Sequence, residues 1–140
     1  MDRATTVAAQ RHVLVLEDDS SIAELLYWIL TEAGYSVTCV ERLDEARRIC
    51  KESTPDMIIA DLLLPDGLGS ELLSEMGSER PDGHPPAIMM SALPQARHHA
   101  ESVGAQLCLM KPFDLGEFLE AVSNLAVPAA DPTIGGFKQA

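Results

Sequence analysis

The sequence predicts a doubly wound α/β fold, a five-stranded parallel sheet with helices on both faces, and three observations carry that prediction. Short aliphatic runs such as Val13-Leu14-Val15-Leu16, Met57-Ile58-Ile59-Ala60, Ala87-Ile88-Met89-Met90 and Leu107-Cys108-Leu109-Met110 are apolar on both faces, as strands buried from both sides must be. Between them lie segments with apolar residues at helical spacing. The runs end on chemically able side chains: Glu17-Asp18-Asp19, Asp61, Ser91 and Lys111. In an open α/β sheet, that carboxyl edge is where ligands bind.

Each element has its own justification. Residues 1–11 lack periodicity and read as a flexible leader. The first strand, 12–16, stops abruptly at the three acids. Ser21-Ile22-Ala23-Glu24 has the form of a capping box, and Ile22, Leu25, Leu26, Ile29, Leu30 and Ala33 share one helical face that Gly34 closes. Residues 36–40 alternate and are β-branched, giving the second strand; 44–51 give the second helix, with Leu43, Ala46, Ile49 and Cys50 inward.

The third strand ends at Asp61, and Leu62-Leu63-Leu64-Pro65-Asp66-Gly67 follows as an apolar loop with a turn. A short third helix spans 70–76, facing inward with Leu72, Leu73 and Met76, and 77–86 is a polar loop rich in Gly and Pro. After the fourth strand, Pro94 suits the first turn of a helix ending near Val103 and Gly104. The fifth strand, 107–110, leads to Lys111-Pro112. Asp114 and Glu117 form a capping box for a last helix with Leu115, Phe118, Leu119, Val122 and Leu125 inward. The domain spans 12–126, and the Pro-, Gly- and Ala-rich 127–140 reads as a disordered tail. Right-handed crossovers then favour the flavodoxin-like order 2-1-3-4-5, which gathers the ends of strands one, three, four and five around one cleft.

Composition bounds the function. The 140 residues suit one domain with its own core. A net charge of −12, without a cluster of Lys and Arg, argues against direct binding to nucleic acid or an anionic membrane. No apolar run approaches the roughly 18 residues that span a bilayer. The apolar segment near the start is too short for a secretory signal, and Cys39, Cys50 and Cys108 lack metal or disulfide spacing, so a reducing cytoplasm is expected. His98 and His99 point about 100° apart on a helix and read as surface residues.

The cleft's chemistry follows from its charges. Glu17, Asp18 and Asp61 repel one another unless a cation joins them, and Mg²⁺ suits one or two carboxylates completed by water and phosphate oxygens. Asp18 and Asp61 are then direct ligands, with Glu17 acting through water. The Asp61 carboxylate becomes a nucleophile for phosphoryl transfer, Lys111 a point charge for a phosphoryl oxygen, and the Ser91 hydroxyl and Ala92 N–H donors to others.

Together these residues resemble the receiver domains of two-component response regulators. Leu14-Val15-Leu16-Glu17-Asp18-Asp19, Asp61-Leu62-Leu63-Leu64-Pro65-Asp66-Gly67 with Gly69, Met90-Ser91-Ala92, Gly104-Ala105 and Lys111-Pro112-Phe113 carry the likeness, in the family's order. The resemblance implies Mg²⁺ at Glu17, Asp18, Asp61 and the Leu63 backbone carbonyl, phosphorylation of Asp61, catalytic support from Ser91 and Lys111, and a cis Lys111-Pro112 peptide. It also implies a histidine kinase or histidine phosphotransfer protein as donor, a downstream protein target, and a homodimer face on helix four, strand five and helix five. Two features depart from the family: Cys108 occupies the switch position usually held by Tyr or Phe, and the stretch from Ser91 to Gly104 is short.

Other function classes fit less well. Phosphatases with a strand-end Asp nucleophile usually carry a second acid two residues on, where this chain has Leu63, so the expectation is no enzyme beyond its own phosphorylation and dephosphorylation. The acidic first loop lacks the Gly-rich cradle of a nucleotide site. Cys108 keeps open a receiver-like interaction module that acts without phosphorylation.

Overall fold

The computed structural model describes residues 10–125 and 127–129. Its parallel sheet contains β1 (His12–Leu16), β2 (Ser36–Val40), β3 (Met57–Asp61), β6 (Ala87–Ser91) and β7 (Leu107–Met110). A two-residue antiparallel pair, β4 (Leu63–Leu64) and β5 (Gly67–Leu68), follows β3. The helices are α1 (Ser20–Glu32), α2 (Leu43–Glu52), α3 (Gly69–Glu79), α4 (Ala96–Ser102) and α5 (Leu115–Asn124). The sheet order β2-β1-β3-β6-β7 is the expected 2-1-3-4-5 of the five main strands.

The pleat divides the core in two. Leu14, Leu16, Ile58, Ala60 and Met89 meet α2, α3 and α4 on one face. Val13, Val15, Met57, Ile59, Ile88 and Met90 meet α1 and α5 on the other. Both β3 and β6 are buried along their whole lengths, so Asp61 leaves the middle of the sheet with apolar packing on each side.

Several expectations change. The cap of α1 is Asp19 rather than Ser21: its carboxylate accepts from the N–H groups of Ser21 and Ile22. Helix α3 continues through Gly77 to Glu79, because Met76 stays buried and no proline interrupts it. Helix α4 starts at Ala96, since Pro94 lies in a turn closed by Ala96 N–H on the Leu93 carbonyl at 3.1 Å. Leu25, Leu115 and Leu119 are exposed, the seats on α1 and α5 being narrower than the apolar stripes.

Described residues that flank the expected 12–126 span also make contacts with it. Arg11 N–H donates to Ala129 O at 2.6 Å, Ser36 N–H to Arg11 O at 2.9 Å, and Tyr35 Oη to Val127 O. Val127 and Ala129 pack on the α1–α5 side of the core. The remainder of the expected leader, 1–9, and of the tail, 130–140, lies outside the described residues.

Candidate functional site

The carboxyl edge of the sheet brings together groups from three strand ends. One carboxylate oxygen from each of Glu17, Asp18 and Asp61 lies within 4.8 Å of the others. Lys111 Nζ reaches between two of them, donating to Glu17 Oε1 at 2.7 Å and Asp61 Oδ2 at 2.8 Å. The side chains of Glu17 and Asp61 are 0% and 11% exposed, so the ion pairs are largely shielded while Asp61 still reaches solvent.

Electrostatics follow from this burial. Desolvation pushes the Glu17 carboxyl up, against the hydrogen bonds from Lys111 and the Asp19 N–H. Burial pulls the Lys111 ammonium down, but its hydrogen bonds to Asp61 and Glu17, with their charges, hold it above the usual lysine range. Lys111 therefore serves as the cluster's internal counter-charge. An all-oxygen set of three carboxylates fits a hard divalent cation such as Mg²⁺.

The two oxygens of Asp61 are in different states. Oδ2 is held by Lys111, whereas Oδ1 receives only a long contact, 3.4 Å, from the Leu63 N–H. Oδ1 is thus the less engaged of the two oxygens. Leu63 itself begins the small hairpin beside the site, and its side chain is exposed.

Ser91 stands at the adjacent strand end, one residue beyond Met90, the β6 partner of Asp61. Its carbonyl accepts the Lys111 N–H at 2.8 Å, and its Oγ accepts the Leu93 N–H at 3.0 Å. A hydroxyl that accepts retains its own proton to donate. Ala92 follows as an exposed residue at the cleft, and the Lys111-Pro112 peptide is cis. Cys108 pairs with Met89, deeper in the sheet, and does not join the cluster. It is half-buried beside a pocket of about 150 Å³ lined by Arg97, Ala100, Glu101 and Gln106. Burial pushes its thiol up.

Gly69 has a role that sequence reasoning did not assign. Its N–H donates to Leu62 O at 2.8 Å, and a Cβ there would stand 2.2 Å from the Asp61 carbonyl oxygen. Only glycine lets α3 start this close to the Asp61 backbone. Its place eight positions after Asp61, among the residues that carry the family resemblance, was the available signal.

Similarity to known proteins agrees with this geometry. The family model described as the response regulator receiver domain matches residues 13–123. The chain is 27% identical over 114 residues to the phosphate regulon transcriptional regulatory protein PhoB of Escherichia coli (strain K12), covering 80% of this chain and 50% of that protein. It is 32% identical over 124 residues to the DNA-binding transcriptional regulator NtrC of Rhizobium meliloti (strain 1021), covering 86% of this chain and 25% of that protein. The chain therefore spans half or less of the length of these curated relatives.

Two solved structures are similar. The non-phosphorylated HemR receiver domain from Leptospira biflexa has a TM-score of 0.74 at 29% identity, covering 83% of this chain and 94% of that one. The response regulator protein TrrA from Thermotoga maritima, in complex with Mg(2+)-BeF, has a TM-score of 0.73 at 29% identity, covering 82% and 98%. With the sheet order, the acid cluster and the Lys111 bridge in agreement, the chain belongs to the response regulator receiver domains.

Proposed function

We propose that this receiver takes a phosphoryl group onto Asp61 from the phosphohistidine of a histidine kinase or histidine phosphotransfer protein. The observation that carries the reading is the junction of Asp61 Oδ2 and Glu17 Oε1 on Lys111 Nζ, with Asp18 alongside. Asp18, Asp61 and the Leu63 carbonyl would hold Mg²⁺ directly and Glu17 through water. The ion supplies charge neutralisation at the phosphoryl oxygens.

The chain's own groups do the rest. Asp61 Oδ1 attacks phosphorus, an O–P bond forms, and the P–N bond of the donor breaks with its electron pair returning to the imidazole. Lys111 shifts its ammonium toward a phosphoryl oxygen, and the Ser91 O–H and Ala92 N–H donate to others. Water attack on the acyl phosphate returns the free carboxylate. Leu63, two residues beyond the nucleophile, offers no acid for turnover of outside substrates.

Signalling then runs through protein contacts with a downstream target, and a homodimer through α4, β7 and α5 is the corresponding self-contact. Cys108 would alter how the switch is relayed. A cytoplasmic site of action belongs to the same reading, and no described helix is long and apolar enough to cross a membrane. The alternative, an interaction module that acts without phosphorylation, rests on Cys108 alone and is the weaker reading. Intact mass after incubation with Mg²⁺ and a small-molecule phosphodonor tests the proposal. One phosphoryl adduct is expected, absent in Asp61→Ala and without metal; no adduct on folded wild-type protein favours the alternative.

A further inference from the structure

Helix α2 begins without a cap of its own. Arg42, the residue before its first turn, makes no side-chain hydrogen bond to the helix backbone. The missing acceptor comes from 23 residues along the chain: Asp66 Oδ1 takes the Leu43 N–H at 2.8 Å, and Asp66 Oδ2 takes the Asp44 N–H at 3.1 Å. Asp66 lies in the turn between β4 and β5, five residues beyond the nucleophile.

Other contacts fasten the same hairpin. At Gly67, with φ 145°, a Cβ would come within 2.8 Å of Leu43 Cδ1, so the hairpin tip lies directly against α2. Glu71 accepts the Leu68 N–H at 3.0 Å from the first turn of α3. Arg47 of α2 holds Glu75 of α3 by two hydrogen bonds at 2.8 and 2.7 Å and lies 3.6 Å from Glu71. The hairpin is clamped between two helices that are themselves tied together, and Asp66 is its bond to α2.

We propose that Asp66 is a positioning residue for the phosphoacceptor site: by capping α2 from the hairpin after Asp61, it fixes where the Leu63 backbone stands relative to the Glu17, Asp18 and Asp61 cluster. This rests on the functional reading above, in which the Leu63 carbonyl is a metal ligand. Asp66 touches neither metal nor phosphoryl group. Its carboxyl is held below the usual range by the Leu43 N–H and then the Asp44 N–H, as expected of an ionised cap.

The test is Mg²⁺ titration by calorimetry on wild type, Asp66→Ala, Asp66→Asn and Asp56→Ala, with amide exchange of the metal-free proteins. Asp56 accepts the His12 N–H at 2.7 Å at the far end of the sheet and controls for general loosening. Asp66→Ala is expected to weaken Mg²⁺ binding about 10-fold and speed exchange at Leu63 and Leu68. Asp66→Asn, still a competent cap, recovers most of the affinity, and Asp56→Ala binds as wild type. Wild-type affinity in Asp66→Ala, or equal weakening in Asp56→Ala, overturns the inference while leaving the receiver chemistry intact. If wild type itself binds no Mg²⁺, the functional reading falls and takes this inference with it.

Discussion

The two flanks of Asp61 are fastened differently. Toward α2 and α3, the 63–68 hairpin is held by Asp66, Glu71 and the Arg47 to Glu75 pair, and Gly69 seats α3 on the Asp61 backbone. Toward α4, the helix is seven residues long, and Gln95, the residue before its first turn, gives it no side-chain cap. Half-buried Cys108 and a pocket of about 150 Å³ lie beneath it. By these contacts the hairpin flank is tied by more polar bonds than the flank that follows Ser91.

Lys111 joins the flanks, so its loss gives the largest effect. Lys111→Ala leaves buried Glu17 facing Asp61 without their counter-charge, at an expected cost of about 3–5 kcal/mol at neutral pH, read by urea unfolding without metal. The pH dependence has a defined sign. Burial raises the Glu17 carboxyl in the folded state, so its contribution is most favourable below the ordinary carboxylate range and is lost as pH rises through the raised value. The deficit of Lys111→Ala should therefore shrink on acidification from neutral pH. A deficit that does not change with pH would mean that Lys111 contributes packing rather than charge.

Gly69→Ala tests the pinned flank directly. A methyl group 2.2 Å from the Asp61 carbonyl oxygen must push α3 away, costing about 1–3 kcal/mol and slowing phosphorylation of Asp61 by a small donor. On the loose flank, Gly104→Ala loses a left-handed position, φ 77°, at the end of α4 and costs about 1 kcal/mol by thermal unfolding, with the phosphorylation rate unchanged. Cys108→Phe is the mildest change. The neighbouring pocket accepts the ring, and stability should stay within about 0.5 kcal/mol. A large loss there would show the α4 flank to be as tightly built as the other.

The sheet and the acid cluster were legible because their signals are local: a run of buried aliphatics, then a charge. Strands 12–16, 36–40 and 107–110 stand where the sequence put them. Asp66 was read only as part of a turn, since its acceptor role depends on a helix start 23 residues earlier that no local pattern connects to it. Leu25, Leu115 and Leu119 were read as inward because helical periodicity marks a stripe, while tertiary packing decides how much of that stripe is covered. Pro94 is compatible with both a first helical turn and a β-turn, and the Ala96 to Leu93 hydrogen bond selects the second.

The Lys111 bridge also bears on how this protein comes into being. Its ammonium closes contacts across 94 residues to Glu17 and 50 residues to Asp61, so no shorter stretch of chain holds the set. During synthesis the acid cluster has no counter-charge until β7 docks, nearly the last step of sheet assembly. The complete set of contacts therefore exists only once the last strand of the sheet is in place.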